Sequence, residues 1–326
     1  MSPGPPSPGP TPDAHGIGVD IGGTKIAAGL VATDGTIVRA DNEPTPDDAT
    51  GIAAVVATLV ERLLSDDVEV GGIGIGAAGF VDVDRATVTF APNINWIDEP
   101  LAAEVGKLVD LPVVVENDAN AAAWGEYRFG AGEDTDDLLF VTVGTGVGGG
   151  IVHRGMVVRG GFGAAAEIGH LRVVPDGRLC GCGQHGCLEQ YASGRALVRD
   201  ARSRVESKDP QAEPLLEVAG NVEAITGQMV TGLARQGDPM CVDLLHDVGQ
   251  WLGEGIATLA AVLDPSVIAI GGGVADAGDL LLDPVRAAFE EHLPAREHRK
   301  IAELRLAALG NEAGIIGAAD LARAGA

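Results

Sequence analysis

The chain is short of cations. Lysine and arginine together number 22 against 47 aspartates and glutamates, a formal charge of −25 at pH 7. Such a field repels a nucleic-acid backbone or an anionic membrane surface at long range, which argues against both as partners. An anionic substrate must then be held by backbone N–H groups, a few placed cations or a metal. Long apolar runs are missing too: no stretch of 18 or more occurs, so no membrane-spanning helix is expected. Cysteine is scarce and clustered, with Cys180, Cys182 and Cys187 inside eight residues and Cys241 alone. That is not the framework of a disulfide-stapled secreted scaffold, and a metal site is the better expectation. The first twelve residues hold six prolines and neither a basic nor an apolar leader region. Residues 1–14 are therefore expected as a Pro-rich disordered tail on a cytoplasmic protein.

What is present is a globular composition. Of the 326 residues 46% are hydrophobic, enough for about two domains with cores of their own. Apolar stretches at 16–20, 25–31 and 36–39, joined by Gly22-Gly23-Thr24 and Asp34-Gly35, predict a β-meander. Ile52, Val55, Val56, Leu59, Val60 and Leu63 follow a 3.6-residue period and predict a helix with Thr50 as N-cap. Strands are expected at 72–75, 80–83 and 113–115, with a helix near 101–109 between them. The second half repeats the opening plan: an apolar run at 138–143, a glycine turn, then a hairpin around Arg154-Gly155. A long helix around Trp251 and a strand at 267–270 follow, the strand leading into Gly271-Gly272-Gly273. This weak duplication predicts two related α/β domains, each offering a glycine turn to a cleft between them.

Two stretches, at Gly74, Gly76, Gly79 and at Gly144, Gly146, Gly149, match the spacing of a dinucleotide fingerprint. Both are followed by strand-like sequence and not by the helix that the fingerprint needs, so that reading is set aside. Gly74–Gly79 is expected to mark close backbone packing in a core strand. Five glycines in the seven residues 144–150, with Thr145 among them, instead form an anion cradle of backbone N–H groups. Asp20-Ile21-Gly22-Gly23-Thr24-Lys25 gathers a carboxylate, two glycines, a hydroxyl and one of only four lysines at a turn. Asp118 stands at the end of an apolar strand and the start of an Ala-rich helix, where it can be a helix cap or a catalytic base. Cys180, Cys182 and Cys187 with one imidazole would complete a closed tetrahedral zinc site, and spacing leaves His170 and His185 as rivals for the fourth ligand.

Taken together, Asp20-Ile-Gly-Gly-Thr-Lys25, Glu116-Asn-Asp118, Gly144-Thr-Gly146, Glu167-Ile-Gly-His170 and Cys180-x-Cys182-Gly-x-x-Gly-Cys187-Leu-Glu189 resemble the ROK family of sugar kinases and repressors over nearly the whole chain after residue 15. The branch that phosphorylates glucose is the most similar. The resemblance implies a two-domain actin-like, ribonuclease-H-like sugar kinase fold. Its small domain would span 15–120 completed by 312–326, and its large domain, with the zinc loop, 121–311. It implies Asp118 as general base toward the sugar 6-hydroxyl, with Asn93, Asn117, Glu167, His170 and Glu189 on the sugar, and Asn95 as a further candidate. Asp20, Gly22, Gly23, Thr24, Lys25, Gly144, Thr145, Gly146, Gly271, Gly272 and Gly273 would serve MgATP. His170, Cys180, Cys182 and Cys187 would hold a structural Zn²⁺, and a homodimer or homotetramer is expected. Alternatives from the same resemblance are a kinase for another hexose (fructose, mannose, N-acetylmannosamine or N-acetylglucosamine) and a sugar-sensing regulator. The nineteen residues before Asp20 leave no expected room for a regulator's helix-turn-helix. Polyphosphate as donor would call for a basic track, and the sequence shows none.

Overall fold

The computed structural model describes residues 13–46, 49–65, 67–91, 94 and 96–324. The Pro-rich stretch 1–12, Asn93 and Asn95 lie outside the described residues. In chain order the elements are β1 (His15–Ile21), β2 (Lys25–Val31), β3 (Ile37–Pro44), α1 (Ala49–Leu63), β4 (Val70–Ala77), β5 (Phe80–Val81), β6 (Val88–Ala91), β7 (Trp96–Glu99), α2 (Leu101–Gly106), β8 (Val113–Asn117) and α3 (Asp118–Phe129). They continue with β9 (Asp137–Val143), β10 (Val147–His153), β11 (Met156–Val157), α4 (Glu189–Ala192), α5 (Gly194–Glu206), α6 (Glu213–Ala219), α7 (Gly227–Arg235), α8 (Pro239–Leu263), β12 (Val267–Gly271), α9 (Asp279–His292), β13 (Glu303–Leu306) and α10 (Ala313–Ala324). Helix α1 begins at Ala49, so Thr50 lies in its first turn and is not the cap.

The strands form two five-stranded sheets, ordered β3-β2-β1-β4-β8 and β11-β10-β9-β12-β13, and a three-stranded sheet β5-β6-β7. The two larger sheets share one plan. Three chain-consecutive strands lie side by side, and two later strands add beyond the first of them. In the first sheet β1, β2 and β3 run antiparallel while β4 and β8 join in parallel; in the second, β10 and β11 pair antiparallel and β12 and β13 parallel. The duplication expected from the glycine turns is thus a duplication of sheet topology. The small sheet had no such signal, because its strands are only two to four residues long.

Packing divides the chain into two units: 13–140 with 150–166 and 308–324 among the described residues, and 141–149 with 167–307. In the first unit α1 lays Ile52, Val56, Leu59, Val60 and Leu63 on the apolar face formed by Ile17, Val19, Ile73, Ile75 and Val115. The C-terminal helix α10 covers β1, β2 and β4 and also packs on α3. Its backbone comes so close that side chains beneath it are impossible: a Cβ on Gly18 would stand 1.8 Å from the Ile315 carbonyl oxygen, and one on Gly74 the same distance from that of Ala318. Glycine at 74 is therefore a packing requirement and not part of a nucleotide fingerprint. Buried polar groups secure the helix pair. Asp320 accepts from the Trp124 indole at 2.8 Å and pairs with Arg128 and Arg323. Glu126, fully buried, accepts the backbone N–H groups of Ala131, Ala308 and Leu309 and so ties the chain entering α10 to α3.

In the second unit the 25-residue α8 runs from an Asp238 cap, whose carboxylate accepts the Cys241 N–H at 2.9 Å, to a left-handed Asp264. It packs chiefly on α9, with α4, α5 and α7 also against it. Among the described residues no helix is long and apolar enough to cross a membrane.

Gly74→Ala is expected to destabilise the chain by about 2 kcal/mol or more, because α10 must lift off the sheet to admit the methyl group. Thermal unfolding checks this, and an unchanged midpoint would contradict the close approach.

Candidate functional site

In the first unit, three strand ends bring chemistry to one edge of the sheet. Asp20 on β1, Gly76 on β4 and Glu116 on β8 are in register. Asn117 and Asp118 follow where β8 ends and α3 begins. The cap of α3 is Asn117: its side-chain oxygen accepts the Asn120 N–H at 3.0 Å, and its Nδ2 donates to the Gly79 carbonyl at 3.0 Å. Asp118 is therefore not the cap of this helix. Asp118 is the first helical residue, half-buried, with one oxygen accepting the Ala119 N–H at 2.9 Å. The helix N-terminus favours its ionised form. Burial nevertheless holds its pKa above the ordinary carboxylate range, against the backbone N–H groups that pull it down.

Asp20 is close enough to feel that charge. Burial first, and the Asp118 carboxylate second, push the Asp20 carboxyl up to about 6, against the pull of Lys25. Two carboxylates sharing a small volume, with one lysine nearby, form a donor set suited to a hydrated divalent cation. The turn after Asp20 is closed by Gly22 N–H to the Lys25 carbonyl at 3.0 Å and held by the Thr45 hydroxyl on the Gly22 carbonyl at 2.7 Å. Gly23, Thr24 and Lys25 are exposed, and open space faces the missing Cβ of Gly23.

In the second unit, Gly144-Thr145-Gly146 joins β9 to β10, and Gly271–Gly273 follows β12. The two turns meet. Val274 N–H donates to the Val143 carbonyl at 2.9 Å, and Gly144, Thr145, Gly273 and Val274 line one cavity of about 1040 Å³. Gly271 ends its strand buried and Gly272 sits against Val143, so of this trio Gly273 is the one that faces the cavity. The carbonyls of Gly144 and Thr145 accept the N–H groups of Gly194 and Arg195, which seats the first turn of α5 on the glycine turn.

Sequence reasoning missed what else lines this cavity: Arg195, Arg199, Arg202 and Arg235. Folding thus gathers four arginines around one cavity together with Glu206 and Asp276, Arg199 being paired with Asp200 at 2.9 Å. A signal was available in part, because Arg195, Arg199 and Arg202 are spaced four and three apart on one helix face. Arg235 comes from α7 and had none. Arg202 is anchored on the carbonyls of Glu223 and Ile225, so its charge is not neutralised by those contacts.

A second cluster stands beside the Gly146 turn. Glu189, first residue of α4, accepts the Val147 N–H at 3.2 Å, and a Cβ on residue 146 would lie 2.2 Å from its carboxylate oxygen, so glycine there admits the acid. The turn Glu167–His170, closed by His170 N–H to the Glu167 carbonyl at 3.0 Å, rests its Gly169 on the Val147 carbonyl. Pairing of Arg172 with Cys187 and of Leu179 with His185 then folds the cysteine segment back on itself.

That fold-back gathers His170, Cys180, Cys182 and Cys187, whose donor atoms all lie within 4.8 Å of one another. Cys180 Sγ is 3.7 Å from His170 Nδ1 and Cys182 Sγ is 3.7 Å from Cys187 Sγ. Tetrahedral zinc with Zn–S bonds of about 2.3 Å requires donor separations near 3.8 Å, so the set fits the ion. His185 is not in the group; its Nδ1 is spent on the Gly177 carbonyl at 2.9 Å. Of the two rivals for the fourth ligand, His170 is the one grouped with the three cysteines.

A domain architecture of two similar sheets with paired glycine turns and a clustered sheet-edge acid defines an actin-like sugar-kinase class of fold. The ROK family model matches residues 16–325, and the chain belongs to the ROK family. It is 51% identical over 308 residues to a glucokinase of Streptomyces coelicolor, covering 94% of this chain and 97% of that one. An N-acetylmannosamine kinase of Escherichia coli O157:H7 is 35% identical, covering 94% and 98%. Among solved structures, a ROK family glucokinase from Streptomyces griseus in complex with glucose and AMPPNP is similar with a TM-score of 0.87 and 53% identity, covering 95% of this chain and 99% of that one.

Two outcomes are expected from this geometry. In protein free of metal and nucleotide, a raised Asp20 pKa means that the fold prefers the neutral acid: its contribution is full below about pH 4 and is lost as pH rises through 6. Asp20→Asn is therefore expected to stabilise the chain by about 1–3 kcal/mol at pH 8, the gap closing toward pH 4. Denaturant unfolding at both pH values reads this, and a destabilised variant at pH 8 would refute it. Metal analysis of the purified chain is expected to find close to one zinc per molecule, lost together with thermal stability in Cys187→Ser; a metal-free chain of unchanged stability would contradict the site.

Proposed function

We propose that this chain is an ATP-dependent glucokinase, transferring the γ-phosphoryl group of MgATP to the 6-hydroxyl of glucose and releasing glucose 6-phosphate and ADP. The observation that carries the reading is identity above 50% to two glucokinases over essentially the full length, one of them solved with glucose and a nucleotide analogue. Identity of 35% to the N-acetylmannosamine kinase is much lower, so glucose is preferred over that sugar.

In this reading Asp118 takes the proton of the sugar 6-hydroxyl. Its pKa, raised by burial, supports the role, because a more basic carboxylate accepts a proton more readily. Asn117 keeps one amide hydrogen for a sugar hydroxyl after donating to Gly79. Glu167, His170 and Glu189 hold other hydroxyls, and the family resemblance adds Asn93 to that set. His170 offers Nδ1 to the thiolates' metal and leaves Nε2 for the sugar, and the zinc, when bound, supplies a rigid cross-link that fixes that ring and the neighbouring acids. Gly144–Gly146, Gly273 and the arginine-lined cavity receive the nucleotide. Gly22–Lys25 approach the phosphates, and Asp20 orients the water shell of magnesium, whose charge offsets that of the phosphates. Phosphoryl transfer asks mainly for positioning and charge stabilisation, which this set provides. The enzyme is further read as a cytoplasmic homodimer or homotetramer, from the habit of its family, and light scattering tests the assembly.

A coupled assay of ADP release with MgATP and glucose, mannose, fructose, N-acetylglucosamine and N-acetylmannosamine is expected to show glucose ahead by about tenfold or more in kcat/KM. Asp118→Asn is expected to lose about 10²–10⁴ in kcat with folding retained. Turnover led by another sugar would move the assignment within the family, and calorimetric glucose binding without any turnover would make the chain a sensor.

A further inference from the structure

Directly before Asn117 and Asp118 stands a carboxylate that the proposed chemistry does not use. Glu116 is 1% exposed and is clasped by two guanidinium groups, Arg159 Nε at 2.9 Å and Arg85 Nε at 3.2 Å, with side chains only 11% and 18% exposed. Its other oxygen accepts the Asn117 N–H at 2.9 Å and the Asn120 Nδ2 at 3.2 Å. One carboxylate thus grips the peptide that enters α3 and a side chain of that helix's first turn.

Both arginines are themselves held by backbone. Arg159 donates Nη1 to the Val83 carbonyl at 2.9 Å and Nη2 to the Asp82 carbonyl at 2.7 Å. Arg85 sits in the left-handed region at φ 55, a conformation costly for a residue with a Cβ, and its carbonyl accepts the Val115 N–H at 2.9 Å along the free edge of β8. The turn bearing it is braced by Asp82, whose side chain accepts the N–H groups of Ala86 and Thr87. The Arg159 carbonyl, finally, accepts the Ala165 N–H at 3.1 Å and closes the loop that leads on to Glu167.

A buried ion cluster is a poor device for stability alone, since apolar residues of similar volume commonly serve as well or better. It is a good device for fixing position here, because the hydrogen bonds at Glu116 Oε1 and those that Arg159 donates to the Asp82 and Val83 carbonyls are directional, and the ion pairs at Oε2 join the two sets. We propose that Glu116, Arg85 and Arg159 form a positioning cluster that sets the Asp118 carboxylate for proton transfer, Arg159 acting as the brace between the 82–87 turn and the start of α3. This rests on the reading of Asp118 as the base. A displacement near 1 Å at such a group is enough to cost about 10²-fold in rate.

The test is a kinetic cycle with Arg159→Gln, Asp118→Asn and the double variant, with kcat and both KM values measured on protein shown folded by thermal unfolding. Arg159→Gln is expected to lower kcat by about 10- to 100-fold and to leave the KM for MgATP within about threefold. The double variant is expected to be no slower than Asp118→Asn, because a residue that acts through Asp118 has nothing left to position. If Arg159→Gln does not fold, Arg159→Lys replaces it, keeping a charge on Glu116 while losing the two-carbonyl fork, and the same outcomes apply. A loss of kcat smaller than about fivefold, or losses that multiply in the double variant, overturns the proposal. If Asp118→Asn alone turns over normally, it is the assignment of the base that fails.

Discussion

The first unit depends on the close seating of α10 against its sheet. Strands β1 and β4 carry glycine where the helix crosses, so backbone meets backbone and the Ile315 and Ala318 carbonyls occupy space that any side chain would fill. The same helix meets α3 through Gly125 and Gly317, where a Cβ on either would collide with the backbone of Ala313 or Ala121. One helix thereby fixes the depth of the sheet and the position of α3, whose first residue is Asp118. The ties at Asp320 and Glu126 set the register of that contact, since each acid is buried and would be costly without these partners. Residues nearly 200 positions apart in sequence thus decide where the proposed base stands.

Charge in this protein is organised against its own average. A chain with 25 more acids than bases gathers four arginines around one cavity of the second unit and two around a single buried glutamate in the first. In the cavity, Arg202 is pinned by backbone carbonyls, which orient the guanidinium and leave its charge available to an anion. Around Glu116 the cations are consumed in holding a backbone. Asp20 and Asp118 show the opposite economy: burial and the neighbouring Asp118 carboxylate push the Asp20 carboxyl up to about 6, with only Lys25 pulling it down. A site of this kind sacrifices some stability for reactivity.

The zinc loop extends the same logic to the second unit. The Glu167–His170 turn and the start of α4 are held by backbone hydrogen bonds and by the Val147 N–H on Glu189. A metal on the four gathered donors would add a rigid cross-link that includes His170.

Much of this was legible in order along the chain. The period of Ile52–Leu63, the glycine turns after β1, β9 and β12, the three cysteines and the Glu116-Asn-Asp118 run are local signals, and local physics is what a sequence states directly: helical period, turn chemistry, ligand type. The twin sheet topology was legible for the same reason, because each half repeats a strand, turn, strand plan. What tertiary structure alone decided concerns partners distant in sequence. It chose His170 over His185 by folding the cysteine segment back, and Asn117 over Asp118 as the cap by bringing Gly79 alongside. It supplied α10 as the partner for the close packing already expected at Gly74, and brought Arg235 to the arginines of α5 and Arg85 and Arg159 to Glu116. Side-chain type and spacing determine which interactions a residue can make; which of them it does make depends on the neighbours that the rest of the chain delivers.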